Sequence, residues 1–252
     1  MTEHKSLIPI YAKELKLPSF ARYSQIVREA EQGRFGYEEF LLRMMKAELA
    51  SRQENQRKQR IRQARLPITK TLDAFEFGNL PNLDPALIWH LAECAFVEKH
   101  ENIILVGNPG TGKTHLAIGL GLMACNKNHR VRFYTAAGLV NELIEAKEHK
   151  RLTRFEKQLQ KVQLLILDEL SYLTFNRPSA EMLFQALSSR HERGSTIITT
   201  NLAFSQWTEI FGDAMLTAAT VDRMTHKSHI IDTNASSYRL KQRVANAQNY
   251  VG

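Results

Sequence analysis

The stretch Gly107-Asn108-Pro109-Gly110-Thr111-Gly112-Lys113-Thr114 decides how this chain folds. It satisfies G-x-x-x-x-G-K-[ST], follows the apolar run at 103–106 directly, and opens a helical pattern from Thr114 to Met123. Glycines at these spacings let the backbone turn tightly around a phosphate, so that N–H groups point inward at the positive end of the following helix. Lys113 is placed to reach the β and γ phosphates of a nucleotide, and the Thr114 hydroxyl to ligate Mg²⁺. Gly107 through Thr114, with the adjoining His115, are the nucleotide-binding candidates.

Downstream, Leu164-Leu165-Ile166-Leu167-Asp168-Glu169 ends an apolar run in two carboxylates, the position at which ligands bind on a parallel sheet. Asp168 suits Mg²⁺ held through its water shell, and Glu169 suits a base that orients or deprotonates the water attacking a γ phosphate. The run at 196–200 ends in Asn201, a neutral amide for the γ phosphate or the attacking water, and this resembles the sensor-1 position of AAA+ ATPases. Further strand patterns lie at 131–134 and 230–231, with helical stretches between them. That alternation predicts an α/β fold, a five-stranded parallel sheet covered by helices. Asp84-Pro85 reads as an N-cap and first-turn pair opening the helix before the first strand.

Upstream the text changes. Residues 8–50 carry helical patterns, of which Tyr37, Phe40, Leu41, Met44, Met45 and Leu49 form one apolar stripe expected to be core. Residues 1–50 are therefore expected to be a small all-helical domain, 51–70 a basic linker or helix, and 71–252 the ATPase domain. Arg52, Arg57, Lys58, Arg60, Arg62 and Arg65 are opposed over 51–65 only by Glu54.

The 252 residues carry 34 Lys/Arg against 26 Asp/Glu, a net +8, with 43% hydrophobic residues. Disordered and collagen-like classes are excluded by that composition. Residues 1–70 hold 15 Lys/Arg and 8 Asp/Glu, net +7, which leaves 19 against 18 for the rest. The excess points to a polyanionic partner and places it at the N-terminal part. Two cysteines, Cys94 and Cys125, exclude a disulfide framework. No apolar run approaches the roughly 18–20 residues of a bilayer span, and no basic-then-apolar leader opens the sequence, so a cytoplasmic protein with no membrane partner is expected.

A longer constellation is similar to a known family. The order Gly107-Asn-Pro-Gly-Thr-Gly-Lys-Thr-His-Leu-Ala117, Leu167-Asp-Glu-Leu170, Gly194-Ser-Thr-Ile-Ile-Thr-Thr-Asn201, Phe204-Ser-Gln-Trp207, Asp222-Arg223 and Ser237-Tyr-Arg239 resembles the IstB family. These are transposition helper ATPases related to the DnaC and DnaI helicase loaders and to DnaA. The resemblance implies an AAA+ P-loop NTPase that binds ATP with Mg²⁺ at homo-oligomer interfaces and assembles on double-stranded DNA. It also implies that the assembly recruits or stimulates a partner transposase, IstA-like, and a nucleoid association while DNA-bound. A replicative helicase loader of the same class is the nearest rival, and a nucleotide-gated DNA clamp with negligible turnover the next. Only 29 residues follow Arg223, too few for the full helical lid of larger AAA+ proteins, so no sensor-2 arginine is assigned; Arg239 is the one candidate, against a surface residue of the C-terminal segment.

Two assignments stay open at this level. An arginine acting on the nucleotide of a neighbouring subunit is Arg223, or else Arg190 or Arg193. DNA contacts fall either on Arg57, Lys58, Arg60 and Arg62 or on a helix expected across 147–161, with Lys147, Lys150, Arg151 and Arg154 at its start; in relatives of the AAA+ class the latter region faces the central channel. With no helix-turn-helix or zinc-finger pattern, contacts to phosphates are expected with little base readout, hence binding that is mostly sequence-independent.

Overall fold

The structure is a computed structural model that describes residues 3–171, 175–235 and 237–238; Arg239 lies outside the described residues. It comprises two compact units, Met1–Gln59 and Arg60–Gly252.

The first unit holds α1 (Glu3–Glu14), α2 (Ser24–Gly33) and most of α3 (Tyr37–Ala64). α3 runs without a break through the basic stretch, and its last residues belong to the second unit. Glu48 is a buried carboxylate with every oxygen engaged: it accepts from Ser19 N at 3.0 Å and from Arg52 Nε at 2.7 Å. Burial pushes its acidity the other way, but Arg52 and Ser19 prevail and hold the carboxyl below its usual range. The apolar stripe of α3 is not one buried face. Met44 is 3% exposed, whereas Leu41, Met45 and Leu49 are more than half exposed. Neighbours such as Met44 and Met45 project about 100° apart on a helix, so burying one exposes the other unless the helix is covered on both sides.

In the second unit follow α4 (Pro85–Ala92), α5 (Ala95–Glu98), β1 (Asn102–Val106), α6 (Lys113–Asn126), β2 (Val131–Thr135), α7 (Ala136–Glu148), α8 (Leu152–Gln160) and β3 (Leu164–Asp168). Then come α9 (Arg177–Ser188), β4 (Ser195–Thr200), α10 (Thr208–Phe211), α11 (Ala214–Thr225) and β5 (Ser228–Asp232). Side-chain caps set several helix starts: Asp84 accepts from Ala86 N at 2.8 Å, Asn176 from Ser179 N at 3.0 Å and Asp213 from Leu216 N at 2.8 Å. All five strands are parallel, in the order β2-β3-β4-β1-β5.

The inner strands β1, β3 and β4 are covered on both sides. Ile103, Leu105, Ile166 and Ile197 pack with Leu116 and Leu120 of α6 on one face. Ile104, Leu165, Leu167 and Ile198 pack on the other with Leu139, Leu143, Leu183 and the wholly buried Trp207. Burying both faces explains why the strands read as continuous apolar runs rather than alternating ones. The central β1 and β4 pair Val106 with Thr200, which brings the carboxyl ends of β1, β3 and β4 to one rim of the sheet.

One helix was expected across 147–161, and two are present. α7 stops at Glu148 because Lys150 adopts a left-handed conformation, φ 55°. Lys150 N then donates to Lys147 O at 3.0 Å and Arg151 N to Ala146 O at 2.7 Å, a Schellman closure that ends a helix. Lys147 accordingly lies in the last turn of α7, Lys150 and Arg151 at the break, and Arg154 on α8. No described helix is long and apolar enough to cross a membrane.

Candidate active site

The loop between β1 and α6 wraps its own backbone. Gly112 at φ +93° is the N-cap of α6, and a Cβ there would stand 2.6 Å from the Phe75 ring. Only glycine meets both demands. At Gly107 a Cβ would stand 2.8 Å from the backbone of Thr233, so the chain after β5 lies directly against the loop. Lys113 Nζ donates to the carbonyls of Gly107 at 2.6 Å and Asn108 at 2.8 Å, which holds the ammonium against the loop.

Asp168, at the end of β3, accepts from Thr114 Oγ1 at 3.0 and 3.1 Å and from Thr199 Oγ1 at 2.5 Å. Its carboxylate is almost fully buried and accepts from two hydroxyls among the described residues. A hydroxyl and a carboxylate are hard oxygen donors, the set that Mg²⁺ takes, so Thr114 and Asp168 fit that ion. Glu169 follows in a left-handed conformation, φ 59°, pinned by its own N–H to Thr199 Oγ1 at 2.9 Å. A non-glycine residue held there is backbone strain located at the candidate base.

A cavity of about 540 Å³ opens over this rim, lined by Pro109 to His115, Glu169, Thr200 and Asn201. Asn201 Oδ1 is buried and has no hydrogen-bond partner among the described residues. Buried polar atoms are nearly always paired, so an orphan on a residue that lines the cavity marks a place for a ligand or water. Of the catalytic candidates the structure brings Lys113, Glu169 and Asn201 to this one cavity; Arg223 does not line it. Gly107 and Asn108 sit behind the loop, where Asn108 N donates to Asn234 Oδ1 at 3.0 Å. His115 lines the cavity edge-on to Phe75 and contacts Thr71 O at 2.8 Å.

Sequence reasoning missed a second wall. Glu76, Asn79 and Tyr238 line the cavity opposite the phosphate loop, and Tyr238 ties the wall to the loop by donating N–H to Gly110 O at 3.1 Å and its phenol to Glu76 at 2.8 Å. The bond to Glu76 holds that phenol above its usual range. Phe75 and Phe77 meet edge-on at 4.9 Å, and Phe75 lines the cavity.

The three arginines separate clearly. Arg190 is 2% exposed, donating to the carbonyls of Leu159, Val162 and Ser195 at 2.7–2.9 Å, and burial pushes its guanidinium down to about 10. A group so enclosed cannot reach a neighbouring subunit, so Arg190 is removed as a candidate. Arg223 is partly exposed, lies over the Phe184 ring and donates to Ser188 Oγ at 2.8 Å; Arg193 is exposed. Among the DNA candidates, Arg57 and Lys58 pair with Glu54, Arg60 donates to Cys125 O at 3.0 Å, and Arg62 is exposed. Lys147, Lys150, Arg151 and Arg154 are all exposed, without a carboxylate partner among the described residues.

Known proteins share this pattern. The family described as "IstB-like ATP binding protein" matches residues 10–246. A protein named for ATP binding in insertion sequence IS21 of Pseudomonas aeruginosa is 42% identical over 218 residues, 86% of this chain and 82% of that one. Another, from insertion sequence IS5376 of Geobacillus stearothermophilus, is 37% identical over 95% of this chain and 96% of its own. Among solved structures, AMPPCP-bound DnaA from Aquifex aeolicus has a TM-score of 0.58 at 18% identity, covering 74% of this chain and 57% of that one. DnaI has a TM-score of 0.52 at 21% identity over 67% and 89%. The fold is thus the AAA+ P-loop fold expected from the sequence. With nearly the whole chain matched and both carboxylates at the rim, the protein belongs to the IstB-like ATP binding protein family.

Proposed function

We propose that this chain is a Mg²⁺-dependent ATPase that assists the transposition of an insertion sequence, assembling as a homo-oligomer on duplex DNA and stimulating a partner transposase. The observation that carries the enzymatic part is the convergence of Lys113, Thr114, Glu169 and the orphaned Asn201 amide on one cavity. The names of the relatives, drawn from insertion sequences, support the transposition context.

In this reading the loop N–H groups and Lys113 bind the phosphates of ATP, and Thr114 and Asp168 hold the metal. Mg²⁺, when bound, neutralises charge that develops on the β and γ oxygens. Glu169 orients the attacking water and takes its proton; Asn201 fixes the same water through its free carbonyl oxygen. Arg223 acts on the site of an adjacent subunit, so turnover is slow until neighbours assemble.

ATP turnover measured against protein concentration, with and without duplex DNA, tests the proposal. Turnover should rise with both and vanish without Mg²⁺. No turnover under any condition would leave a nucleotide-gated clamp. Strand transfer by the transposase should rise when this protein and ATP are added, and an unchanged yield would remove the helper role.

A further inference from the structure

A second cavity, of about 590 Å³, lies within the second unit at the β2 edge of the sheet, away from the nucleotide rim. Three separate segments build it. The end of α3 brings Arg60 and Arg65, the chain entering β2 brings Arg130 and Arg132, and the chain entering β3 brings Lys161. Glu142 of α7 is the one carboxylate among the lining residues.

The way these cations are held leaves their charge uncompensated. Arg132 donates to Gln63 O at 3.1 Å and to the Tyr134 hydroxyl at 3.2 Å; Arg60 donates to Cys125 O at 3.0 Å. Carbonyls and hydroxyls orient a guanidinium without neutralising it. Among the described residues only Arg65 of the five meets an acid, Glu142, at 3.3 Å. Neither Arg130 nor Lys161 has a carboxylate partner among the described residues. The rim is also stiff: Arg130 N donates to Gln163 Oε1 at 2.9 Å, while Gln163 N and Leu164 N donate back to Arg130 O at 2.9 and 3.1 Å. Five cations against one carboxylate, fixed in advance, form a site for a polyanion.

We infer that this cleft at the β2 edge holds phosphates of duplex DNA, and that it, rather than the exposed basic face of α3 in the first unit, carries the main DNA contact. The inference rests on the DNA binding proposed above. Four of the five cations are arginines, whose planar forks match phosphate oxygens. The aromatic residues argue for a duplex: Tyr134 and Phe155 close on one another edge-on at 6.5 Å, and the Tyr134 hydroxyl is already donating to Glu142 at 2.9 Å. The Arg132 guanidinium lies over the Tyr134 ring, 5.1 Å from its centroid, so that ring is already occupied as a platform for an unstacked base. The two basic stretches that compete in the sequence meet here, since Arg60 and Arg65 come from the first and Lys161 from the end of the second.

The test is the salt dependence of duplex binding by the full chain with ATP, followed by fluorescence anisotropy. Arg130→Gln/Lys161→Gln removes two cations without a carboxylate partner among the described residues, and Arg57→Gln/Lys58→Gln is the comparison. The cleft variant should flatten the log–log slope by about 2 and weaken binding at least tenfold at moderate salt, uniformly across sequences. The comparison variant should change the slope by less than about 0.5. A cleft variant that keeps the wild-type slope, or a comparison variant that loses as much, overturns the assignment. Wild-type protein with no salt-dependent binding at all would instead overturn the DNA-binding reading itself. Thermal unfolding of both variants within a few degrees of wild type establishes that the fold is retained.

Discussion

Thr114 Oγ1 lies 3.0 Å from Asp168 Oδ1, joining the first turn of α6 to the last residue of β3. The carboxylate's hydrogen-bond partners among the described residues are the Thr114 and Thr199 hydroxyls, oxygen donors that leave it able to take a metal. Asp168→Asn should therefore weaken ATP binding about 10- to 100-fold when Mg²⁺ is present and leave Mg²⁺-free binding unchanged. Titration of a fluorescent ATP analogue with and without the ion would show it. Equal losses in both conditions would mean the carboxylate serves the fold alone.

Glu169 has a different task, and its removal should separate binding from chemistry. Glu169→Gln keeps the shape and the backbone bond to Thr199 while deleting the base. Nucleotide affinity should stay within about twofold, and turnover should fall about 100-fold or more. Single-turnover hydrolysis at an unchanged rate would assign the base to another group.

Gly112 is constrained twice, by φ +93° and by the Phe75 ring 2.6 Å from any added Cβ. Gly112→Ala should cost about 1–3 kcal/mol in stability and, by displacing Phe75 from the cavity wall, reduce ATP affinity. Calorimetric unfolding and nucleotide titration would check both; a variant with wild-type values would mean that the loop relaxes freely.

Arg190 and Arg223 should give opposite signatures. Arg190→Ala strands three carbonyls inside the protein and should destabilise it by about 3 kcal/mol or more. Arg223→Ala loses one bond to Ser188 and should unfold near the wild-type temperature. Its defect should appear as low turnover at assembling concentrations, restored when the variant is mixed with a Glu169→Gln partner that supplies the arginine. Normal turnover by Arg223→Ala at those concentrations would move the role to Arg193.

Burial pushes the thiols of Cys94 and Cys125 up to about 11. The unfolded chain ionises first, so their contribution to stability is intact below about pH 9 and is lost as pH rises toward 11. At pH 8 the native protein should react with a disulfide reagent far more slowly than the urea-unfolded chain. Rapid labelling of either thiol in native buffer would contradict the packing around them.

The nucleotide rim was legible because its chemistry is local. Eight consecutive residues make the loop, and Asp168-Glu169 and Asn201 each end a run that can only be a doubly buried strand. What stayed hidden depends on distance in the chain. Tyr238 reaches Glu76 across 162 positions, and nothing in either neighbourhood announces the pairing. Arg190 reads as one more surface cation beside Glu192, and only the carbonyls of Leu159 and Val162, folded against it, turn it into an internal brace. The break at Lys150 was missed because lysine is an ordinary helix residue and its left-handed cap is usually filled by glycine. Met45 looked like core because periodicity counts apolar residues without saying how many sides of a helix are covered.

β3 runs between the basic cleft and the nucleotide rim. Lys161 precedes its buried start and Asp168 is its last residue, so the strand is a strut of about 13 Å between the basic cleft and the metal ligands. Hydrogen-bonded to β2 on one side and β4 on the other, it has no slack along its length. The basic cleft and the Asp168 carboxylate are thereby joined by one strand hydrogen-bonded along both sides, not by a loop.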